Sequence, residues 1–203
     1  MVSEFDGKAL EWDNNPVHIE RSEAIARSLL NTVPLNKSMH ALEFGAGTGL
    51  LSFLLKDQFS SITLMDTSGE MINVIRTKMT HQQITHMTPV DINLETEDFS
   101  GEFDIIYCQM VFHHVMNLEV VIEKFFRLLK PGGYVGIADL YPEDGSFHGE
   151  GFTGHNGFDV QWLSDKLNTA GFTRISHQQC YSIKRPGPAG IIEFPIFLMT
   201  GVR

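Results

Sequence analysis

The stretch ALEFGAGTGLL, residues 41–51, is the most informative part of this 203-residue chain. Mostly apolar residues precede Gly45, as in a buried strand, and an apolar helical pattern follows Gly49. Glycine lets the backbone pass close to a ligand, and a helix that begins after it presents unpaired N–H groups. The stretch therefore predicts a nucleotide-type cradle between a strand and a helix.

The spacing of the glycines separates two classes of cradle. The dinucleotide fingerprint G-x-G-x-x-G needs a glycine at the position where this chain has Leu50. The chain has G-x-G-x-G instead, and Glu43 stands two residues before Gly45. A carboxylate at this place would repel a pyrophosphate, whereas it suits a ligand that carries an ammonium group.

Further segments extend the pattern beyond the glycines. They are, in order, ITLMD (62–66), PVDI (89–92), FDIIYCQMVFHH (103–114) and LLKPGGYVGIAD (128–139). Together with the glycine stretch, this ordered set resembles the motifs of the class I S-adenosylmethionine (SAM) methyltransferases over residues 41–140.

The arrangement of elements agrees with that resemblance. Strands alternate with helices, which predicts a parallel sheet with both faces covered. The predicted strands are 40–44, 61–66, 86–90, 103–109, 134–140, 172–183 and 190–200. The last two, joined by a turn at 184–188, resemble the closing antiparallel pair of the family. The resemblance thus implies an α/β, Rossmann-like, seven-stranded, mostly parallel sheet of order 3-2-1-4-5-7-6, with helices on both faces.

A single SAM-dependent methyltransferase domain is expected over residues 1–203. Its divisions are a cap segment and helix (1–36), a cofactor-binding core (37–140), a substrate-side loop (141–158), and a C-terminal helix with closing strands (159–203). Residues 1–16 are predicted as a polar, turn-rich lead-in, and in the family this segment often folds over the cofactor. The loop 141–158 is assigned to the substrate because long irregular loops are often lids or binding loops.

The resemblance implies SAM as cofactor, with S-adenosylhomocysteine as its product. Glu43 is expected to hold the methionine ammonium group, directly or through water, and Asp66 to accept both ribose hydroxyls. Asp91 and Ile92 lie at the expected adenine edge. The complete predicted set is Trp12, Glu43, Gly45, Ala46, Gly47, Gly49, Asp66, Thr67, Met71, Asp91, Ile92 and Gln109.

The sequence assigns no catalytic residue. Methyl transfer from a sulfonium is an in-line displacement, so a base is needed only where the nucleophile must lose a proton. His114, which follows His113, and His155 in the loop are the candidate bases, with packing as the alternative for each. No metal site is predicted, because no partner of the histidine pair has a recognisable spacing.

Composition limits the expected partners and location. The formal net charge is −10 and no Lys/Arg cluster is visible, which argues against nucleic acid as substrate. The chain has no apolar run of bilayer-spanning length, and residues 1–6 lack the regions of a signal peptide. We therefore expect a cytoplasmic protein that binds a small-molecule substrate and no membrane, while the oligomeric state stays open.

Three alternatives remain beside small-molecule methyl transfer. An NAD-dependent oxidoreductase shares the architecture, although Leu50 and the absence of a catalytic Tyr/Lys or His pattern disfavour it. A non-catalytic SAM-binding module, or a subunit that needs a partner, would bind cofactor without transferring methyl. A nucleic-acid methyltransferase is disfavoured because CQMV (108–111) replaces the Asn/Asp-Pro-Pro-Tyr motif, and because Cys108 follows Tyr107 rather than proline.

Overall fold

The computed structural model describes residues 5–188 and 190–203. Its centre is a seven-stranded sheet of order β3-β2-β1-β4-β5-β7-β6. The strands are β1 (His40–Phe44), β2 (Ser61–Asp66), β3 (Met87–Asp91), β4 (Phe103–Gln109), β5 (Leu129–Leu140), β6 (Thr173–Gly187) and β7 (Gly190–Val202). β1 to β5 pair in parallel, and β7 runs antiparallel between β5 and β6. The predicted fold class and strand order are confirmed.

Helices cover both faces of this sheet. They are α1 (Pro16–Thr32), α2 (Leu50–Leu55), α3 (Gly69–Gln82), α4 (Leu118–Leu128) and α5 (Val160–Ala170). Buried residues of α1, α2 and α3 share one apolar cluster, whereas those of α4 and α5 belong to a second. Burial on both faces explains the mostly apolar central strands. Within the described ranges, none of the helices combines the length and the apolar character that a membrane crossing requires.

The order in which the strands are added to the sheet reverses between β1 and β4. β2 and β3 lie on one side of β1, while β4 and β5 lie on the other. In open α/β sheets, ligands bind outside the carboxyl ends of strands at such a switch point. The glycine loop follows β1, and the segment with His113 and His114 follows β4, so both border this crevice.

The N-terminal segment differs from the predicted turn-rich lead-in. Asp6–Asn14 form a 3₁₀ helix. Its sequence shows no apolar period, and Ala9 is its buried residue, so a periodicity argument could not find it. Polar contacts hold it in place: Ser68 Oγ donates to Asp6 Oδ1 at 2.6 Å, for example.

Two strands, β5 and β6, extend well beyond their predicted bounds, whereas the other strand ends differ by at most two residues. β5 begins at Leu129 rather than at 134, because Leu129 pairs with Phe103 before a shift in register. β6 continues into the predicted turn 184–188 as far as Gly187, which pairs with Gly190 of β7. The predicted hairpin is confirmed, and its turn is shorter than the sequence indicated.

Gly45 lies where the glycine loop passes the segment after β4. Its φ is +63°, and a Cβ placed there would lie 2.2 Å from Cγ2 of Val111. The same Cβ would lie 2.7 Å from Cβ of Val111, so rotation of the valine side chain gives no relief. The approach of the two segments therefore requires glycine at this position.

We expect Gly45→Ala to lower the free energy of unfolding by roughly 2–4 kcal/mol, because a steric clash adds to left-handed backbone strain. Gly132→Ala is the matched control: its φ is +82°, and a Cβ there would meet nothing within 4 Å. The control should lose about 1–2 kcal/mol through the backbone contribution. Urea unfolding measures both variants, and equal losses would contradict the steric argument.

Candidate functional site

A cleft of about 750 Å³ opens at the carboxyl ends of the central strands. Most of the predicted cofactor residues line it: Trp12, Gly45, Ala46, Gly47, Asp66, Thr67, Met71, Ile92 and Gln109. The structure therefore brings together residues from the N-terminal segment, the glycine loop and the ends of β2, β3 and β4. The predicted residues Glu43, Gly49 and Asp91 lie outside this lining.

Asp66, the last residue of β2, fixes the glycine loop. Its Oδ2 accepts a hydrogen bond from the N–H of Gly47 at 2.7 Å, and its Oδ1 accepts one from the N–H of Ser68 at 2.9 Å. Burial raises the pKa of Asp66, and these backbone hydrogen bonds oppose the rise. Since each carboxylate oxygen has further acceptor capacity, Asp66 can hold the loop and still accept hydroxyl groups from the cleft.

Gly47 forms the open face of the cradle. Its φ is +55°, and a Cβ there would meet no protein atom within 4 Å. Gly49 differs, since a Cβ there would lie 3.0 Å from Leu64 and 3.1 Å from Phe53. Gly47 thus leaves room for a ligand against the backbone, whereas Gly49 allows α2 to pack beneath the loop.

Glu43 is fully buried below the glycine loop. Its Oε2 accepts a hydrogen bond from the N–H of Ser52 at 3.2 Å, while its Oε1 has no hydrogen-bond partner among the described residues. Burial raises the pKa of Glu43 to about 8. The side chain therefore lies behind the cleft wall and holds its proton at neutral pH. Asp91, in contrast, is exposed at the end of β3.

Several histidine side chains line the part of the cleft that lies next to the end of β4. His113 is buried, and its Nδ1 lies 2.6 Å from Oδ1 of the buried Asp139 on β5. The other oxygen of Asp139 accepts the backbone N–H of His113 at 3.2 Å. The carboxylate therefore fixes both the backbone and the ring of His113, which leaves Nε2 as the second nitrogen of the ring.

Two further imidazoles surround His113. The ring centroid of His114 lies 4.3 Å from that of His113, and the centroid of His148 lies 4.9 Å from it. His148 also stacks on Phe152, with centroids 3.9 Å apart. Burial, followed by the neighbouring His113, lowers the pKa of His114 to about 3 and that of His148 to about 4. Both rings are neutral at neutral pH.

The folded loop brings His148 to this place, so sequence spacing gave no indication of it. His155, the other predicted candidate in the loop, lies outside the cleft lining. Its ring atom Nε2 is 3.0 Å from the carbonyl oxygen of Val115, and its backbone N–H donates to the carbonyl oxygen of His113 at 2.8 Å. His155 therefore anchors the loop, while the candidate His114 faces the cleft.

Arg21 of α1 is a cleft residue that the sequence analysis missed. It is 6% exposed, and its Nε has no hydrogen-bond partner among the described residues. Burial lowers the pKa of Arg21 to about 10, so the guanidinium stays charged at neutral pH. Arg21 shares the buried side of α1 with Ile25 and Leu29. The sequence signal for Arg21 is a charged residue at a position where the helical period of α1 places apolar residues.

The N-terminal 3₁₀ helix closes one side of the cleft. Asp13 accepts a hydrogen bond from Thr48 Oγ1 at 2.5 Å and pairs with Lys78 Nζ at 2.8 Å. Trp12 lines the cleft, and the centroid of its ring lies 4.2 Å from the centroid of the His18 ring. The segment is therefore fastened to the glycine loop and to α3, next to the expected cofactor position.

The buried acid Glu43 makes stability depend on pH. Its folded-state pKa of about 8 lies above its ordinary value of 4.5, so the folded protein binds this proton more tightly than the unfolded chain does. The stabilisation is fully present below the ordinary value and is lost as the pH rises through the folded value. Glu43→Gln keeps an acceptor for Ser52 and removes the titration.

We expect the unfolding free energy of the unmodified protein, relative to Glu43→Gln, to fall by a few kcal/mol from about pH 5 to about pH 9. Urea unfolding at several pH values measures this difference. A difference that stays constant over the range would show that Glu43 is ionised in the folded protein.

Comparison with known proteins agrees with this geometry. Residues 42–135 match the family model of a methyltransferase domain. An uncharacterised methyltransferase of Schizosaccharomyces pombe is 32% identical over 149 residues, which are 65% of this chain and 52% of the relative. A ubiquinone biosynthesis O-methyltransferase of Coxiella burnetii is 35% identical over 138 residues, which are 65% of this chain and 58% of the relative. The chain thus spans little more than half the length of these curated relatives.

A solved structure supports the same fold. The N-methyltransferase NodS of Bradyrhizobium japonicum, in complex with S-adenosylhomocysteine, superposes with a TM-score of 0.70 over 94% of this chain and 89% of its own. The sequence identity is 17%, so the likeness concerns the fold. The family-model match, the relatives and the sheet order agree: residues 42–135 are similar to a methyltransferase domain, and the sheet order is that of the methyltransferase fold.

Proposed function

We propose that this protein transfers the methyl group of SAM to a small-molecule acceptor bound at the histidine-lined end of the cleft. One observation carries this proposal: a single cleft joins the Asp66-held glycine loop to a chamber lined by His113, His148 and Phe152. A nucleoside at the loop and an acceptor in the chamber would lie next to each other, as an in-line displacement requires.

The nucleoside part of SAM occupies the side of the cleft formed by β2 and β3. Asp66 accepts the ribose hydroxyls, since its two oxygens keep acceptor capacity beside the loop amides. Ile92 and Met71 provide apolar contact for the adenine, and Gly47 allows the backbone to approach. Trp12 covers the site from the N-terminal segment and keeps water out.

The methionine part of SAM lies between α1 and the end of β4. Its carboxylate requires a cation, and Arg21 presents a buried guanidinium whose Nε has no partner among the described residues. Ser22, the next residue, donates to Gln109 Oε1 at 3.1 Å, which joins α1 to the end of β4. Glu43 lies behind the loop and acts on the ammonium group indirectly, through the loop or through water.

The reaction itself requires little covalent chemistry from the protein. SAM brings a sulfonium leaving group, so the chain has to align the acceptor, the methyl carbon and the sulfur, and to exclude water. The aromatic and histidine side chains that line this end of the cleft provide contacts for a small acceptor. The Coxiella relative is named as an O-methyltransferase, so hydroxyl-bearing aromatic molecules are the first acceptor class to test.

Calorimetry with SAM and S-adenosylhomocysteine tests the cofactor assignment. Asp66→Ala should weaken SAM binding by about 1.5–3 kcal/mol, since a charged hydrogen-bond acceptor is lost. Asp57→Ala is the control, because Asp57 is exposed in the short 3₁₀ turn that follows α2. Equal affinity in the Asp66 and Asp57 variants would remove the ribose assignment. Transfer of labelled methyl from SAM to a metabolite extract then tests activity; cofactor binding without transfer would favour the non-catalytic alternative.

Two ligands separate the role of Arg21 from general stability. Arg21→Met should weaken binding of S-adenosylhomocysteine about tenfold or more, because its carboxylate loses a charged partner. 5′-Methylthioadenosine has no carboxylate, so its affinity should change little. Arg27→Met, an exposed position on the same helix, should bind both ligands normally. Parallel losses for both ligands in Arg21→Met would contradict the assignment.

A further inference from the structure

The three histidines at the acceptor end form a compact donor set. His113 follows β4, His114 is its neighbour in sequence, and His148 comes from the loop after β5. One nitrogen from each ring can be chosen so that all three lie within 4.8 Å of one another. Imidazole is a preferred ligand of zinc and similar transition-metal ions, and three histidines with an open fourth position are a known catalytic arrangement.

The geometry points to a binding site for a divalent transition-metal ion of the zinc type, held by His113, His114 and His148, with an open position toward the cleft. The proposal goes beyond the cofactor assignment, and it rests on the proposed function only for its catalytic consequence. It also replaces the sequence expectation of no metal, since the third ligand became visible only in the fold.

The surroundings of His113 match those of a metal ligand. Metal-bound histidines usually donate their second ring N–H to a carboxylate, which fixes the ring and makes the bound nitrogen more basic. Asp139 takes this place, with its Oδ1 2.6 Å from Nδ1 of His113, and both side chains are buried. Nε2 is then the ring nitrogen that is left to bind a metal ion.

Binding requires a modest movement of the rings. Three nitrogens at about 2.0–2.1 Å from a tetrahedral ion lie about 3.4 Å apart, so separations that reach 4.8 Å have to shorten by up to about 1.4 Å. His148 is the exposed member, and neither of its ring nitrogens has a hydrogen-bond partner among the described residues. Since Gly149 follows it at φ +85° and has open space around it, the loop can supply this movement.

A bound ion would give the chamber a chemical function. An acceptor hydroxyl that occupies the open position becomes more acidic and loses its proton to solvent. Its oxygen lone pair then forms the bond to the methyl carbon, and the C–S bond breaks with its electron pair left on sulfur. The products are the methyl ether and S-adenosylhomocysteine, and no oxidant or reductant is required.

Metal titration of the untagged full-length protein tests the site. After removal of metal with a chelator, Co²⁺ is added and its visible absorption is followed, and Zn²⁺ affinity is measured by competition with a chromophoric chelator. We expect one equivalent of metal, with affinity about tenfold or more weaker in His148→Gln. His177→Gln, an exposed histidine on β6, serves as control and should bind like the unmodified protein.

Two results would overturn the site: no binding of either ion, or equal affinity in the unmodified protein and in His148→Gln. His148 is exposed, so its substitution leaves the fold intact, and unfolding curves verify this. Calorimetry with SAM on metal-free protein keeps the two proposals apart. Metal binding without SAM binding would overturn the proposed function, whereas SAM binding without metal binding would overturn the metal site.

Discussion

The contacts of one carboxylate determine the shape of the cofactor end of the cleft. Asp66 accepts the N–H of Gly47 from the loop after β1 and the N–H of Ser68 from the start of α3. Ser68 in turn donates to Asp6, so the N-terminal 3₁₀ helix is linked to the same carboxylate. Because these segments come from distant parts of the chain, the cradle depends on the pairing of β1 with β2 in their observed register.

The charges around the cleft are placed to suit a zwitterionic, sulfonium-bearing ligand. Glu43 lies behind the glycine loop, and burial raises its pKa to about 8. Arg21 lines the cleft and keeps its charge despite burial. A protonated acid behind the loop does not repel a carboxylate, and it becomes easier to ionise when a cation approaches. Glu43 is therefore a group whose charge can adjust to the ligand.

The parts of the fold that sequence predicted well are those with local signals. The glycine loop, β1, β2 and Asp66 lie within one short segment in which period and turn chemistry agree. The cleft residues that sequence missed depend on tertiary placement. Arg21 is brought to the cleft by the packing of α1, and His148 by the return of the loop. Glu43 shows the converse, since its place in the motif can be read from the spacing but its depth of burial cannot.

The loop 141–158 divides into an anchored part and a tip, and this division explains how it can serve both binding and access. Near the end of the loop, the backbone N–H of His155 donates to the carbonyl oxygen of His113, and the backbone N–H of Phe158 donates to that of Leu140, both at 2.8 Å. A Cβ on Gly157 would lie 2.1 Å from the carbonyl oxygen of Tyr141, so this part fits closely against β5. His148 lies on the tip, between the buried Phe147, whose carbonyl oxygen accepts a hydrogen bond from Arg185, and Gly149, which meets open space. The sheet therefore fixes His113, and the tip brings the third imidazole to it.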